Sequence, residues 1–259
     1  MNAVGLAIAL SIAAVIGLLF GLAPGLDIEI ARPFRDIVRH GNEFGLRIDP
    51  TIMTLRNSGM WVVTALVAPA VLAFALKLVR PRRNLLLPGR AVLFLVVTLL
   101  LAPGLLVNGV LKEHWGRPRP IDVSVLGGSD PFVAWWDPRG PCTSNCSFVS
   151  GDVSAAFWTL APAALAPPPW RALAYAGALV FGAGMSLMRM AAGAHFLTDV
   201  VFAGIFTFLV IWIVHGLVYR WRATRISDAA VERAIERMAL SAHDFVLGLF
   251  RRRQRRPGG

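Results

Sequence analysis

The sequence predicts an all-α integral membrane protein: a six-helix bundle with an extended outer loop and a cytoplasmic amphipathic C-terminal helix. Of its 259 residues, 56% are hydrophobic and only 16% are charged, a balance too apolar for an ordinary soluble domain. The chain has 8 Trp but only 2 Tyr, and Trp is enriched at membrane interfaces. Six stretches approach the about 20 apolar residues that a helix needs to cross a bilayer.

The six predicted spans, in chain order, are 3–22, 60–78, 91–111, 153–166, 172–188 and 196–218. The first lacks the basic residues that begin a signal peptide, and its apolar run is long for one, so we expect a retained helix. The fourth is short and contains Pro162, and the prolines at 167–169 separate it from the fifth.

The charges indicate the orientation of these spans. With the N-terminus in the cytoplasm, the inner segments are 77–90, 167–171 and the tail from Arg220, and they hold most of the 26 Lys and Arg residues. This bias of Lys and Arg favours the orientation under the positive-inside rule. Most of the 15 Asp and Glu residues fall in outer segments. The net charge of +11 therefore needs no nucleic acid to explain it. A composition rich in Arg and poor in Lys is typical of a bacterial high-GC genome, and the spans with their charge bias place both termini in the cytoplasm. We therefore predict a multi-pass bacterial inner-membrane protein.

The chain divides into a transmembrane domain at 1–222 and a cytoplasmic segment at 223–259. The outer segment 27–59 is polar, and we expect it to lie along the outer membrane surface. In the tail, Ser227 or Asp228 can cap a helix whose apolar side chains form one stripe. The stripe comprises Val231, Ile235, Met238, Ala242, Phe245 and Leu249. The helix either lies on anionic lipids of the inner leaflet or pairs with another copy, and the arginines at 251–256 favour the lipid.

The chain's only cysteines, Cys142 and Cys146, lie in the long outer loop 112–150. An oxidising compartment favours a disulfide between them. Two cysteines without nearby histidines supply only half a zinc site, which makes a metal centre the weaker interpretation. Two free thiols are the remaining alternative.

Polar residues cluster in three segments where hydrophobic helices end: 112–120, 147–152 and 189–199. In the predicted topology all three lie on the outer face, so we expect one composite site. Its cations are Lys112, Arg119 and Arg189. One such residue alone is typical of a basic side chain at a helix end. Three around one point match a phosphate group and the charge of a phosphoryl-transfer transition state.

His195 and Asp199 are four residues apart, which places them on one face of a helix. A carboxylate that accepts the proton of one imidazole nitrogen leaves the other with a free lone pair, as a nucleophile or base requires. A structural His–Asp pair is the alternative, but Asp199 in an apolar span favours function. Ser150 and Gly151 precede the fourth span, where free backbone N–H groups can bind phosphate oxygens; a plain helix cap is the alternative there.

The pattern Lys112-x6-Arg119-Pro120, Ser150-Gly151 and Arg189-x5-His195-x3-Asp199 resembles the type 2 phosphatidic acid phosphatase superfamily. The resemblance implies that His195 attacks phosphorus and forms a phosphohistidine, and that Asp199 orients His195. It also implies that the three cations, with Ser150 and Gly151, hold the phosphate, and that no metal or cofactor is needed.

Two positions depart from that family. Asp152 stands where the family has a histidine that protonates the leaving group, and Met188 replaces the usual serine before Arg189. Asp152 can serve as the acid only if its pKa is raised well above the ordinary value of about 3.9. His114 is the alternative proton donor.

The run Cys142-x3-Cys146-Ser147-Phe148, with an acidic residue after Ser-Gly, resembles some bacterial lipid A 1-phosphatases. The expected substrate is therefore the 1-phosphate of lipid A, with phosphatidylglycerol phosphate, phosphatidic acid and undecaprenyl diphosphate as alternatives. A non-catalytic lipid-phosphate binder is the rival hypothesis, because Asp152 adds negative charge where a phosphate would approach. A purely structural membrane protein would leave the three motifs unexplained.

Overall fold

A computed structural model describes residues 1–36, 39–40 and 43–254, with side chains described outside 36–43 and 245–254. Two-residue antiparallel strands, β1 (Arg39–His40) and β2 (Glu43–Phe44), are the only paired strands in these ranges. The rest of the described chain is helical or irregular, so the predicted helical class is confirmed.

Five helices in the described ranges are long and apolar enough to cross a membrane. They are α1 (Ala3–Leu22), α3 (Pro50–Val79), Gly89–His114, α8 (Pro168–Ala191) and Leu197–Arg220. Between the first two lies α2 (Leu26–Asp36). The third long helix consists of α4 (Gly89–Leu99), a π-helical stretch (Leu100–Leu111) and α5 (Lys112–His114). The last consists of α9 (Leu197–His215) and a π-helical turn (Gly216–Arg220).

The predicted fourth span is not one continuous helix. The chain forms α6 (Gly151–Phe157) and α7 (Leu160–Leu165), which are 7 and 6 residues long. Pro162 explains the break, since it has no N–H to donate to the carbonyl of Trp158 four residues earlier. That carbonyl instead accepts from Ala161 N at 2.8 Å. The six-span count therefore stays a prediction.

The second long helix, α3, begins at Pro50, well before the predicted start at Met60. Asp49 caps it, because its Oδ1 accepts from Thr51 N at 2.8 Å and from Ile52 N at 3.1 Å. The polar turns at 50–59, expected to lie along the surface, are thus helical.

The chain forms two compact units. The predicted division into a transmembrane domain and a cytoplasmic segment at residue 222 stays a prediction. The first unit comprises 1–66 and 97–214. In its core the Phe157 ring packs against Gly182 and Gly204. A Cβ at these positions would lie 2.5 and 2.9 Å from the ring, so glycine allows the helices to pack this closely around it. Trp115 stacks on Phe148 with ring centroids 4.8 Å apart, which fixes the chain just before α6.

The second unit contains 67–96 and the described residues from 215 onward, including α10 (Asp228–Gln254). Buried Lys77 lies 3.2 Å from Glu232 and 3.1 Å from Glu236 of α10, so ion pairs hold this helix within its unit.

The predicted stripe of α10 is divided between interior and surface. Val231 and Ile235 are buried, whereas Met238 is exposed. The Ser227 hydroxyl accepts from Ala230 N at 3.1 Å, as expected of a cap. Phe245, Leu249 and the arginines at 251–256 lie outside the described side chains.

Candidate active site

Backbone hydrogen bonds join the three polar segments that the sequence predicts to converge. Ser147 N donates to Arg117 O at 2.8 Å, linking the first segment to the second. Ile121 N donates to Gly193 O at 3.1 Å, linking the stretch after the first segment to the third. Main-chain contacts therefore contribute to holding the composite site together.

His195 lies in the turn before α9 and is buried. Its Nδ1 is 2.7 Å from the carbonyl oxygen of Ser147. Because a carbonyl oxygen can only accept, Nδ1 carries the proton and Nε2 keeps its lone pair. The arrangement presents Nε2 as a nucleophile.

Asp199 does not form the direct hydrogen bond to His195 that the four-residue spacing suggests. Its Oδ2 is 3.9 Å from His195 Nδ1, beyond hydrogen-bond reach. The carboxylate instead accepts from Phe196 N at 2.8 Å and from the hydroxyl of Ser147. Ser147 therefore links the two residues, since its carbonyl binds the imidazole and its hydroxyl binds the carboxylate.

The charge of Asp199 is balanced by Arg117, which is fully buried and which the sequence analysis overlooked. Arg117 also lies 2.7 Å from Asp27 of α2 and donates to Thr198 Oγ1 at 2.8 Å. Its guanidinium packs over the ring of Phe196, 4.4 Å from the centroid. This network ties α2 to the start of α9.

Lys112, Arg119 and Arg189 are gathered near His195. Burial lowers the pKa of His195 well below its ordinary value of 6.5, and the charges of Arg189, Arg119 and Lys112, in that order, lower the pKa further. The imidazole is therefore neutral near pH 7, as a nucleophile must be. The same cations would stabilise a phosphate bound beside it.

Asp152, in the first turn of α6, lies between two arginines. Its Oδ2 is 2.7 Å from Arg56 Nε and 3.3 Å from Arg189 Nε. Burial raises the pKa of Asp152, but the hydrogen bond from Arg56 and the charges of Arg189, Arg56 and Lys112 together lower it below 3.8. This direction is opposite to the raised pKa that a general acid requires.

A cavity of about 560 Å³ adjoins these residues. Four arginines line it: Arg47, Arg56, Arg119 and Arg189. Its other lining residues are Ile52, Met53, Ile121, Asp122, Cys142, Ser144, Asn145, Met188, Ala192 and Ala194.

The sequence profile of the PAP2 superfamily matches residues 91–225, which include all three polar segments. The chain belongs to the PAP2 superfamily. The resemblance found in the motifs is thus confirmed over about half of the chain.

The curated relatives that match are all lipid A 4′-phosphatases. That of Francisella tularensis subsp. novicida is 45% identical over 132 residues, which cover 51% of this chain and 60% of the relative. That of Rhizobium leguminosarum is 48% identical over 107 residues, or 40% of this chain and 45% of the relative. The chain thus spans 60% or less of the length of these relatives. No solved structure matches. The expected resemblance to lipid A 1-phosphatases was therefore wrong in the phosphate position, since the matching relatives are named as 4′-phosphatases.

Ser150 and Gly151, the core of the second PAP2 motif, have structural reasons of their own. Ser150 is buried, and its Oγ caps α6 by accepting from Val153 N at 3.5 Å. A Cβ on Gly151 would lie 2.5 Å from Asn108 Oδ1, so any other residue would require the Asn108 side chain to shift. Their role in phosphate binding stays a prediction.

The alternative proton donor, His114, is exposed, and its Nδ1 lies 2.9 Å from the carbonyl of Val110 on its own helix. Its role as a proton donor stays a prediction. Met188, which replaces the family's serine, lines the cavity and offers it a thioether in place of a hydroxyl.

Cys142 and Cys146 form a disulfide. The loop that it closes includes Asn145, whose carbonyl accepts from Arg119 Nη2 at 2.8 Å and from Nε at 3.3 Å. The disulfide loop therefore helps to hold a cation of the first PAP2 motif. In the described part of the chain, no three His, Cys, Asp or Glu side chains are grouped as metal ligands.

Arg47, Arg56 and Asp27 lie ahead of the matched PAP2 region, where no motif drew attention to them. Hydropathy did not indicate them either, since the predicted span begins at Met60 and leaves Arg56 in the polar outer segment 27–59.

Proposed function

We propose that this PAP2 protein is a bacterial membrane phosphatase that removes the 4′-phosphate of lipid A through a phosphohistidine at His195. The observation that carries the proposal is the buried His195, whose Nδ1 lies 2.7 Å from the Ser147 carbonyl, which leaves Nε2 its lone pair. The charges of Arg189, Arg119 and Lys112 lie near enough to lower the pKa of His195. The names of the matching relatives support lipid A as substrate and the 4′ position over the 1 position.

In the first step, His195 Nε2 forms a bond to phosphorus while the bond from phosphorus to the lipid oxygen breaks. Lys112, Arg119 and Arg189 stabilise the charge that spreads over the phosphoryl oxygens. The lipid oxygen takes its proton from water, since an ionised Asp152 has none to give. In the second step, water attacks the phosphohistidine, releasing phosphate and restoring the imidazole.

Asp199 and Ser147 do not touch the reacting atoms in this mechanism. They keep the proton on Nδ1 and hold the ring in place. We propose the same positioning role for Arg117, because it neutralises the Asp199 carboxylate.

We further propose that the site faces the periplasm and that both termini are cytoplasmic. The bias of Lys and Arg toward the inner segments supports this orientation. The arginines at 251–256 would then lie near anionic lipids of the inner leaflet, to which a polybasic segment is attracted.

The test is phosphate release by the detergent-purified protein, with EDTA present, across a wide pH range. The substrates are lipid A monophosphorylated at the 4′ or the 1 position, phosphatidic acid, phosphatidylglycerol phosphate and undecaprenyl diphosphate. We expect release from the 4′-phosphorylated lipid, abolished in His195→Gln.

The matched control is His114→Gln, which changes an exposed histidine outside the cavity. It should keep its activity. An active His195→Gln protein would refute the phosphohistidine. Wild-type protein that binds the lipid but releases no phosphate at any pH would favour the non-catalytic binder. Asp152, which pairs with Arg56 and Arg189, would then be the suspected cause.

A further inference from the structure

The cavity holds more positive charge than the PAP2 motifs supply. Arg119 and Arg189 belong to the motifs, whereas Arg47 and Arg56 come from the segment ahead of the matched region. Among the cavity's lining residues, Asp122 carries the only negative charge, and Asp152 lies close by. Four guanidinium groups around one space repel one another unless an anionic ligand occupies it.

Arg47 and Arg56 both have donors to spare. Arg47 is exposed and forms no hydrogen bond or ion pair with the part of the chain that the structure describes. Arg56 uses its Nε for Asp152, which leaves the N–H groups of its two terminal nitrogens. Arg56 shares the cavity-facing side of α3 with Ile52 and Met53, so the helix presents it to the cavity together with an apolar surface.

These two arginines come from a segment that supplies none of the three cations predicted to hold a phosphate at His195. Arg56 lies beside Arg189, because the Nε atoms of both approach Asp152 Oδ2, at 2.7 and 3.3 Å. Arg47 is exposed, and its guanidinium can bind an anionic group next to the one at His195. The terminal N–H groups of Arg56 remain for that same group.

The cavity has the volume of a site for a molecule rather than for a single ion. At about 560 Å³ it falls within the range of roughly 300–1,000 Å³ typical of pockets for small ligands. It is therefore larger than one phosphate group requires.

We propose that Arg47 and Arg56 form a second anion-binding subsite, which takes a second phosphate group carried by the same lipid. The preferred substrate is thus a lipid headgroup with two phosphates, one placed at His195 and the other at the arginine pair. The proposal rests on the proposed function, because it assumes that the first phosphate binds at His195.

The experiment compares lipid A carrying phosphate at both the 1 and 4′ positions with lipid A carrying only the 4′-phosphate. In the wild-type protein the KM for the bisphosphorylated lipid should be about tenfold lower, as one charge-assisted hydrogen bond predicts. In Arg47→Gln the ratio of the two KM values should approach one. Arg56→Gln should do the same, although it also releases Asp152.

The matched control is Arg32→Gln. Arg32 lies on α2, pairs only with nearby Glu29 at 3.3 Å in the described chain, and does not line the cavity. This variant should keep the wild-type ratio. If Arg32→Gln also lost the preference, a general effect of positive charge near the membrane would replace the subsite.

A ratio unchanged in Arg47→Gln and Arg56→Gln would overturn the subsite and leave the phosphatase intact. If the wild-type protein hydrolysed neither lipid, the proposed function would fail, and equilibrium binding of both lipids to wild-type and Arg47→Gln proteins would decide the subsite. Vesicles of phosphatidylglycerol without lipid A distinguish the remaining source of phosphate. If Arg47→Gln weakened binding to these vesicles as much as it weakened binding to lipid A, Arg47 would be assigned to the bilayer headgroups and the proposal would be overturned.

Discussion

Replacing the buried Arg117 by Met would test whether the charge network beneath His195 holds the site together. Arg117 is the only cation among the described residues in contact with the carboxylates of Asp27 and Asp199, and all three side chains are buried. Methionine keeps much of the volume of the side chain but none of its donors. The variant would leave two carboxylates without a counter-charge in a site closed to water.

Removing one partner of a buried ion pair destabilises a protein by about 3–5 kcal/mol, because the remaining charge stays desolvated. Asp27 would keep the hydrogen bonds from Thr198 N at 3.1 Å and from Thr198 Oγ1 at 2.6 Å, so the cost falls mainly on the unbalanced charge. Asp27→Asn removes that charge and keeps an acceptor for Thr198. We therefore expect Asp27→Asn to restore roughly 0.5–3 kcal/mol to Arg117→Met.

The assay is unfolding in a fixed detergent, followed together with phosphate release. Arg139→Met is the matched control, since Arg139 is 79% exposed and pairs only with its neighbour Asp137 in the described chain. That change should leave the unfolding midpoint unaltered. The reasoning fails if Arg117→Met unfolds with the wild-type protein, or if adding Asp27→Asn lowers stability further.

Two further predictions concern protonation. Since its pKa is well below 6.5, His195 stays neutral on mild acidification, and kcat/KM should show no loss from His195 protonation as the pH falls from neutral through 6.5. The unfolded chain does bind a proton at this histidine, so the free energy of unfolding should decrease below pH 6.5. An acidic limb of kcat/KM near pH 6.5 that persists when each of the other histidines is replaced would contradict the assignment. Asp152→Asn should change kcat by less than about tenfold, whereas loss of a general acid removes about 10²–10⁴-fold; a drop of that larger size would make Asp152 the acid.

The long apolar helices were predictable because hydropathy alone determines them. The first span was predicted at 3–22 and α1 occupies Ala3–Leu22. The start of α3 was missed because its first turns carry Arg56, a residue that faces the cavity rather than lipid. Hydropathy measures only the preference for lipid, so a span that begins beside a polar cavity appears too short.

In the site, the motif spacing predicted which residues converge but not which contacts they make. The distance of 3.9 Å between His195 and Asp199 depends on where Ser147 lies, and nothing in the sequence indicates that the Ser147 carbonyl binds His195. The pairing of Arg117 with Asp27 likewise joins residues far apart in the chain. Contacts between distant segments follow from packing, which a single sequence does not encode as a local pattern.

The unusual Asp152 and the unpredicted Arg56 are best understood as one feature. A lone aspartate in place of the second-motif histidine would repel the substrate and weaken the three motif cations. Arg56, supplied by α3 at 2.7 Å, cancels that charge and adds a second guanidinium to the cavity. The site thereby keeps a net positive charge while Arg189 and Arg56 are held on either side of one carboxylate. A histidine at 152 would leave Arg56 without this partner, so the pairing accounts for both departures from the expected site.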